Sequence, residues 1–415
     1  MHPLRTLRVA LAGATLAFAS AAGAAETVKI AFIDVLSGPF ALAGEGSLRQ
    51  LKEVVAQLNA RAGANEPKLE VVPFDNKGSP QESLTVLKTV TDQGIRYITQ
   101  GGGSGVAFAL SEAITRLAER EPSKSIVYLN YSAMDPGLTN DKCSFWHFRF
   151  FPSSEMNIEA LTTYMIGKKD IKNVYLLNQN YTHGQQVARA SREYLARKRP
   201  DIKIVGEDFV PIAQTRDFAP YISKIKAAGA DTVITSNWGS DLTLLFKAAK
   251  DGGLNTYIYT LNANNPGSPA QLGNYGAEKV GVVWNWVTNA PTPELEKIYV
   301  DYKKKSGEDF IFAAHWDSMN MLNAAFRQAK STDPTRVAYA LEGMKYKSPQ
   351  GEVEMRRTDH QLLGPLYLGI WAKQDGKRVK YDAENTGYGF RVEAAVDAYV
   401  SAQPTSCQMK RPPKP

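Results

Sequence analysis

The sequence predicts an α/β protein of two lobes, each a doubly wound parallel sheet, between which the chain crosses three times. Three observations carry that reading. Short apolar runs rich in Val, Ile, Tyr and Phe alternate with segments of helical periodicity, the pattern of βαβ units. A second series of such units, beginning at Val174, matches the first element for element, and GIRYITQGGGSG and GADTVITSNWGS occupy equivalent places in the two. The chain without its leader, about 390 residues, exceeds one ordinary core and suits two domains.

Residues 1–25 carry Arg5 and Arg8, the apolar run Val9–Ala19 and the small residues Ala22–Ala25 before Glu26, which reads as a cleaved secretory signal peptide. Loss of its two arginines takes the formal charge from +7 to +5. That excess is mild and spread among acids, so no nucleic-acid partner is expected. No other run is long enough to cross a bilayer, so the mature chain is expected to be soluble in the periplasm.

The first series opens with the strand Val28, Ile30, Phe32, Ile33, the loop Leu36 to Phe40 and a helix through Leu48, Leu51, Val54, Val55 and Leu58. Leu69–Phe74 follows as a strand, Pro80–Gln93 as a helix, Ile95–Ile98 as a strand and Ser104 onward as a helix; Ile126–Asn130 is the fourth strand. The second series runs Val174–Leu177 (strand), Gln185–Lys198 (helix), Ile202–Val205 (strand), Phe218–Ala228 (helix), Thr232–Thr235 (strand), Leu242–Lys250 (helix) and Tyr257–Leu261 (strand). The remainder adds a strand at Gly281–Trp286, helices at Pro293–Ser306, Ala313–Ala329 and Pro334–Gly343, and a strand pair, Leu366–Ala372 with Arg378–Tyr381. The expected division is 26–150 with 286–358 for lobe 1, 151–285 with 359–400 for lobe 2, and 401–415 as a tail, the chain crossing near Phe151, Trp284 and Thr358.

Ligands of open parallel sheets bind beyond the carboxyl ends of strands where strand order reverses. The loops at 36–44, 101–106 and 130–136 should therefore face those at 178–184, 236–241 and 262–267 across a cleft. Gly101-Gly102-Gly103 before Ser104 makes a bare strand-to-helix turn, whose free N–H groups and dipole suit an anion. The letters exclude nearby alternatives: the third small residue of a dinucleotide fingerprint falls on Val106 or Phe108, a nucleophile elbow at Ser104 lacks its glycine at 106, and the phosphate loop lacks its Lys-Ser/Thr ending. With five histidines, no HExxH and no CxxC, neither metal nor cofactor is indicated. The only cysteines, Cys143 and Cys407, suit a structural disulfide in an oxidising compartment.

The opening VKIAFIDVLSGPFALAGEG, the glycine-serine turn, DPGLT at Asp135–Thr139, the HGQQ turn and KIKAAGAD together give a resemblance across nearly the whole mature chain. It resembles the periplasmic solute-binding proteins of branched-chain amino-acid-type ABC transporters, the leucine/isoleucine/valine-binding class. That resemblance implies a type I periplasmic binding fold, closure of two hinged lobes on one small molecule, a monomer, and delivery to membrane permease subunits. Carried over, the ligand contacts fall on Ser104, Ser132 and Met134 in lobe 1, and on Tyr181, His183, Asn237, Trp238 and Asn262 in lobe 2.

Amino-acid-binding members usually carry Thr where Met134 stands, Tyr at His183 and an acid near Asn262. An α-ammonium left without an anion in a closed cleft costs several kcal/mol. The expected ligand is therefore a carboxylic or aromatic acid or an amide in preference to a branched-chain amino acid, unless Asp241 or Asp317 reaches the cleft. Trp284 and Trp286 read as hinge or core packing, Trp316 as a residue bordering the cleft, and His315 and Asp317 as too close along a helix to act as an acid-base pair. A secreted hydrolase using the same cleft and a sensory ligand-binding domain are the competing classes. No catalytic constellation supports the first, and no anchor or signalling segment the second.

Overall fold

The computed structural model describes residues 26–64, 66–289 and 292–415; the expected signal peptide lies outside the described residues. Strand β1 (Thr27–Asp34) pairs in parallel with β2 (Lys68–Asp75) on one side and β3 (Tyr97–Gln100) on the other. The helices α1 (Ala41–Arg61) and α2 (Pro80–Asp92) connect them. In α1 the buried Leu51, Val54, Val55 and Leu58 recur at helical spacing, and α2 starts where Ser79 accepts from the Glu82 N–H with Pro80 in the first turn. After α3 (Ser104–Arg120), β4 (Val127–Asn130) and β5 (His147–Arg149) complete a five-stranded parallel sheet in the order β2-β1-β3-β4-β5.

The chain then builds α4 (Ser154–Met165), β6 (Asn173–Gln179), α5 (Thr182–Lys198), β7 (Lys203–Val210), α6 (Ala219–Ala227), β8 (Thr232–Thr235), α7 (Ser240–Asp251), β9 (Tyr257–Thr260), α8 (Ser268–Leu272) and β10 (Val280–Trp284). Helices α9 (Pro293–Ser306), α10 (Ala313–Ala329) and α11 (Pro334–Leu341) follow. Helix α10 returns to the first sheet, with Phe326 edge-on to Tyr97 at 5.4 Å and His315 bonded to Ser47 of α1 at 2.7 Å. A small antiparallel sheet of β11 (Lys345–Ser348), β12 (Gly351–Met355) and β13 (Leu362–Leu363) precedes β14 (Leu366–Lys373) and β15 (Tyr388–Val396). These last two complete the second sheet, seven strands in the order β15-β14-β10-β9-β8-β6-β7, parallel except at β10-β14 and β14-β15.

Two sequence expectations need correction. Leu366–Ala372 pairs with β15, and Arg378–Tyr381 is not a strand: Asp375 Oδ1 turns that segment by accepting from the Lys377 and Val379 N–H groups. Helix α5 begins at Thr182, before the predicted Gln185, so His183 sits in its first turn. Only glycine fits at position 184 of that turn, since a Cβ there would lie 1.9 Å from the Gln179 carbonyl oxygen. Beyond those corrections, β5, β11, β12, β13 and β15 are strands that the sequence pattern did not reveal.

Each sheet reverses its strand order once, between β1 and β3 and between β6 and β8. Where the chain passes between sheets, the buried Arg149 binds Gln361 Oε1 (2.6 Å) and the Asp135 carbonyl (2.6 Å), and Gln361 donates to the Phe151 carbonyl (2.9 Å). Trp284 and Trp286 are fully buried core residues, and Trp286 packs edge-on to Phe310. Cys143, in the loop between β4 and β5, is bonded to Cys407 in the tail, with Cα atoms 5.7 Å apart.

Closing so long a loop stabilises by about 5 kcal/mol on the chain-entropy account. Reduction, or Cys143→Ser, is therefore expected to lower the melting temperature by several degrees. Thiol titration of unreduced, denatured protein should find no free thiol; two would refute the bridge.

Candidate functional site

The first wall of the site grows from the switch point between β1 and β3. Asp34, the last residue of β1, is fully buried, and its carboxylate accepts from the N–H groups of Val35 (2.8 Å), Gly101 (2.9 Å) and Gly102 (3.0 Å) and from the Tyr131 hydroxyl (2.6 Å). Burial pushes its pKa up against those four donors, Tyr131 the strongest of them. Gly103 then turns at φ 90° and α3 starts at Ser104 with no side-chain cap, which leaves its first-turn N–H groups and the positive end of its dipole at the cavity. Ser104 Oγ accepts from the Asp135 N–H at 3.3 Å. Asn130 Oδ1 holds the next loop by accepting from the N–H groups of Ser132 (3.1 Å) and Ala133 (2.8 Å), which places Ser132 and Met134 in the same wall. Met134 is buried filler whose Sδ accepts from Asn157 Nδ2 at 3.7 Å.

The opposite wall rises from the second switch point. Trp238, half-buried beyond β8, donates from Nε1 to the Tyr181 hydroxyl at 3.0 Å, and burial raises the Tyr181 pKa. His183 is buried with neither ring nitrogen bonded to a protein group, and burial lowers its pKa to about 4. Asn262 spends its amide hydrogens on the carbonyls of Ser236 (3.0 Å) and Asn237 (3.3 Å), leaving Oδ1 as its remaining acceptor beside Asn265.

Seven of the eight sequence-selected residues thus line one cavity between the sheets: Ser104, Ser132, Met134, Tyr181, His183, Trp238 and Asn262. Asn237 does not; it is fully buried behind the wall and meets the site only through its carbonyl. Asp241 and Asp317 also lie outside it, the first bonded to Gln179 (2.7 Å) and the Ala213 N–H (2.9 Å), the second to Gln350 (2.7 Å). Trp316 does not border the cavity and instead packs under the Arg61 guanidinium, 5.6 Å from its ring centre. Sequence reading missed Asp34, Tyr131, Asn265 and Phe312 in the lining. An acid ending the first strand at a switch point is the signal that would have found Asp34.

The cavity lining carries no lysine or arginine. Its only carboxylate, Asp34, is already filled with donors. Among the described residues no three His, Cys, Asp or Glu side chains gather as a metal site. The arrangement can enclose a small molecule with an anionic or hydrogen-bond-accepting end at α3, an aromatic side at Trp238 and Tyr181, and neutral polar groups opposite.

A two-lobed α/β architecture with both switch points on one cavity is that of a protein that captures solutes. The sequence profile of the periplasmic binding protein family matches residues 27–377, and the chain belongs to that family. It is a solute-binding protein, and not an enzyme. It is similar to Leu/Ile/Val-binding protein homolog 4 of Brucella abortus, at 32% identity over 98% of both chains. The crystal structure of a leucine-, isoleucine-, valine-, threonine- and alanine-binding protein from Brucella ovis in a closed conformation superposes with a TM-score of 0.81 at 29% identity, covering 94% of this chain and all of that one. An R. palustris ABC transporter solute-binding protein in complex with 4-hydroxybenzoate shares the fold, with a TM-score of 0.76 at 20% identity over 90% and 98% of the two chains.

His183 makes a pH dependence calculable. Unfolded, it takes a proton near pH 6.5; folded, only near 4. Between those values the unfolded state binds more protons, so this contribution to stability is whole above pH 6.5 and is lost as pH falls toward 4, roughly 3 kcal/mol in all. Thermal melts from pH 7 to 4 should show the wild type losing more stability than His183→Asn; equal slopes would mean that His183 is hydrated in the fold.

Proposed function

We propose that this protein is the periplasmic capture component of an ABC importer that closes, as a single chain, on a small carboxylic or aromatic acid lacking an α-ammonium and hands it to membrane permease subunits. The lobes of this reading are 26–150 with 286–358 and 151–285 with 359–400, with 401–415 as the tail. Ser104, Ser132, Met134, Tyr181, His183, Trp238 and Asn262 are the ligand-facing residues, and Asn237 supports Asn262 from behind.

The observation that carries the ligand class is the charge of the cavity. Its single carboxylate already accepts four hydrogen bonds, so an ammonium enclosed there has no anionic partner, and an unpaired buried charge is costly. A carboxylate, in contrast, meets the uncapped end of α3 and the Ser104 hydroxyl. The names of the Brucella relatives favour a second reading, a branched-chain amino acid, whose ammonium would rest on Asn262 Oδ1, Asn265 Oδ1 and the aromatic faces.

Thermal shift separates the two. A ligand at a hundredfold excess over its Kd stabilises by about 2.7 kcal/mol, enough to raise the melting temperature by several degrees. Benzoate, 4-hydroxybenzoate and the deaminated analogues of leucine and valine are expected to give that shift. If leucine, isoleucine and valine give it and the acids do not, the acid reading is wrong.

Trp238→Ala tests the wall. Because Trp238 is half-buried and outside the strand, the variant should fold with nearly the wild-type melting temperature and bind its ligand at least tenfold more weakly. A large stability loss at unchanged affinity, read by calorimetry, would make Trp238 a core residue.

A further inference from the structure

One contact across the cleft joins the two lobes through a residue that does not line the cavity. Phe40, the residue before α1, stacks its ring on Trp238 with centroids 4.0 Å apart and planes 22° from parallel. The chain facing it is shaped for the ring. A Cβ on Gly239 would fall 2.2 Å from Phe40, and Gly239 has φ 59°. The neighbouring loop does the same more loosely: Gly267, at φ 85°, would bring a Cβ within 3.1 Å of the Leu42 side chain.

Phe40 comes from the connection between β1 and α1 and Leu42 from the first turn of α1, both on the five-stranded sheet, whereas Gly239 and Gly267 follow β8 and β9 of the seven-stranded sheet. Phe40 is only partly buried and Leu42 is 53% exposed, so neither serves the core of its own lobe. Their partner is the opposite lobe. An aromatic pair that exists only when the lobes are shut adds its energy to the closed state alone.

We propose that Phe40 is a positioning residue for closure, which holds Trp238 over the bound solute and strengthens binding of every ligand by one common factor without choosing among them. The uniformity follows from linkage: apparent affinity scales with the population of the binding-competent closed form, whatever fills it. This proposal rests on closure of two lobes around a solute, and not on the solute being an acid.

The test is titration calorimetry with stopped-flow release on wild type, Phe40→Ala and Phe40→Leu, using L-leucine, benzoate and 4-hydroxybenzoate as probes. Phe40→Ala should raise the Kd of every probe that binds by the same factor, about tenfold, mainly through faster release, while the ligand-free melting temperature stays at the wild-type value. Phe40→Leu, which keeps apolar bulk and loses the ring, should fall between. Different factors for different probes would make Phe40 a ligand contact and overturn the proposal. Unchanged affinity in both variants would overturn it too, as would an affinity loss that tracks a fall in melting temperature. If leucine alone binds, the acid reading fails while the Phe40 test proceeds on leucine; if none of the three binds, both fall.

Discussion

Asp34 takes hydrogen bonds from its own neighbour, from two glycines after β3 and from a tyrosine after β4, so one buried carboxylate ties three crossing points of the first sheet together. A carboxylate out of water is tolerable only when its lone pairs are filled, and here every donor also fixes a loop. The fit leaves no slack: a Cβ on Gly102 would lie 2.2 Å from Asp34 Oδ1. With Gly101 and Gly102 spent on Asp34, the next free N–H groups are those of the α3 end, and these are the ones the cavity receives. The tyrosine is held in turn, since the Ser47 hydroxyl lies between it and His315, whose pKa burial lowers to about 3.

The second sheet reaches the same place by other means. Its wall uses neutral groups throughout: an indole bonded to a phenol, an imidazole kept uncharged by burial, and the Asn262 amide, which donates to two backbone carbonyls and accepts from Asn265. Charge is thus concentrated on one side, where the helix dipole supplies it, and the far side contributes surface and hydrogen bonds. On the proposed function a solute is gripped only when both sides meet it, which would tie affinity to the relative position of the lobes.

Much of this was legible in the letters because the governing patterns are local. The strand-loop-helix rhythm predicted both sheets, and the match between the segments around Ile98 and Ile234 predicted that two switch points face each other. What stayed hidden depends on distant partners. The strand β15, read as YGFRVEAAV, has no clean alternation because it is an edge strand paired on one side only, and β5 is three residues long. Asp34 looked like an ordinary strand end, since its donors sit 67 and 97 residues away. Asn237 was misplaced for the opposite reason: its neighbour Trp238 does face the cavity, but successive residues after a strand point to different sides, and Asn237 turns inward.

The disulfide changes what kind of object the polypeptide is. The segments that pass between the two sheets, after β5, after β10 and between β13 and β14, all lie between Cys143 and Cys407, as do the whole of the second sheet and the last strand of the first. From Cys143 to Cys407 the molecule is therefore a covalent ring with two open ends attached. A protease that severs any one passage between the lobes opens the ring without producing two molecules, and the halves of the cleft stay joined through the tail. This protein can take a cut at any one of these passages and remain a single piece.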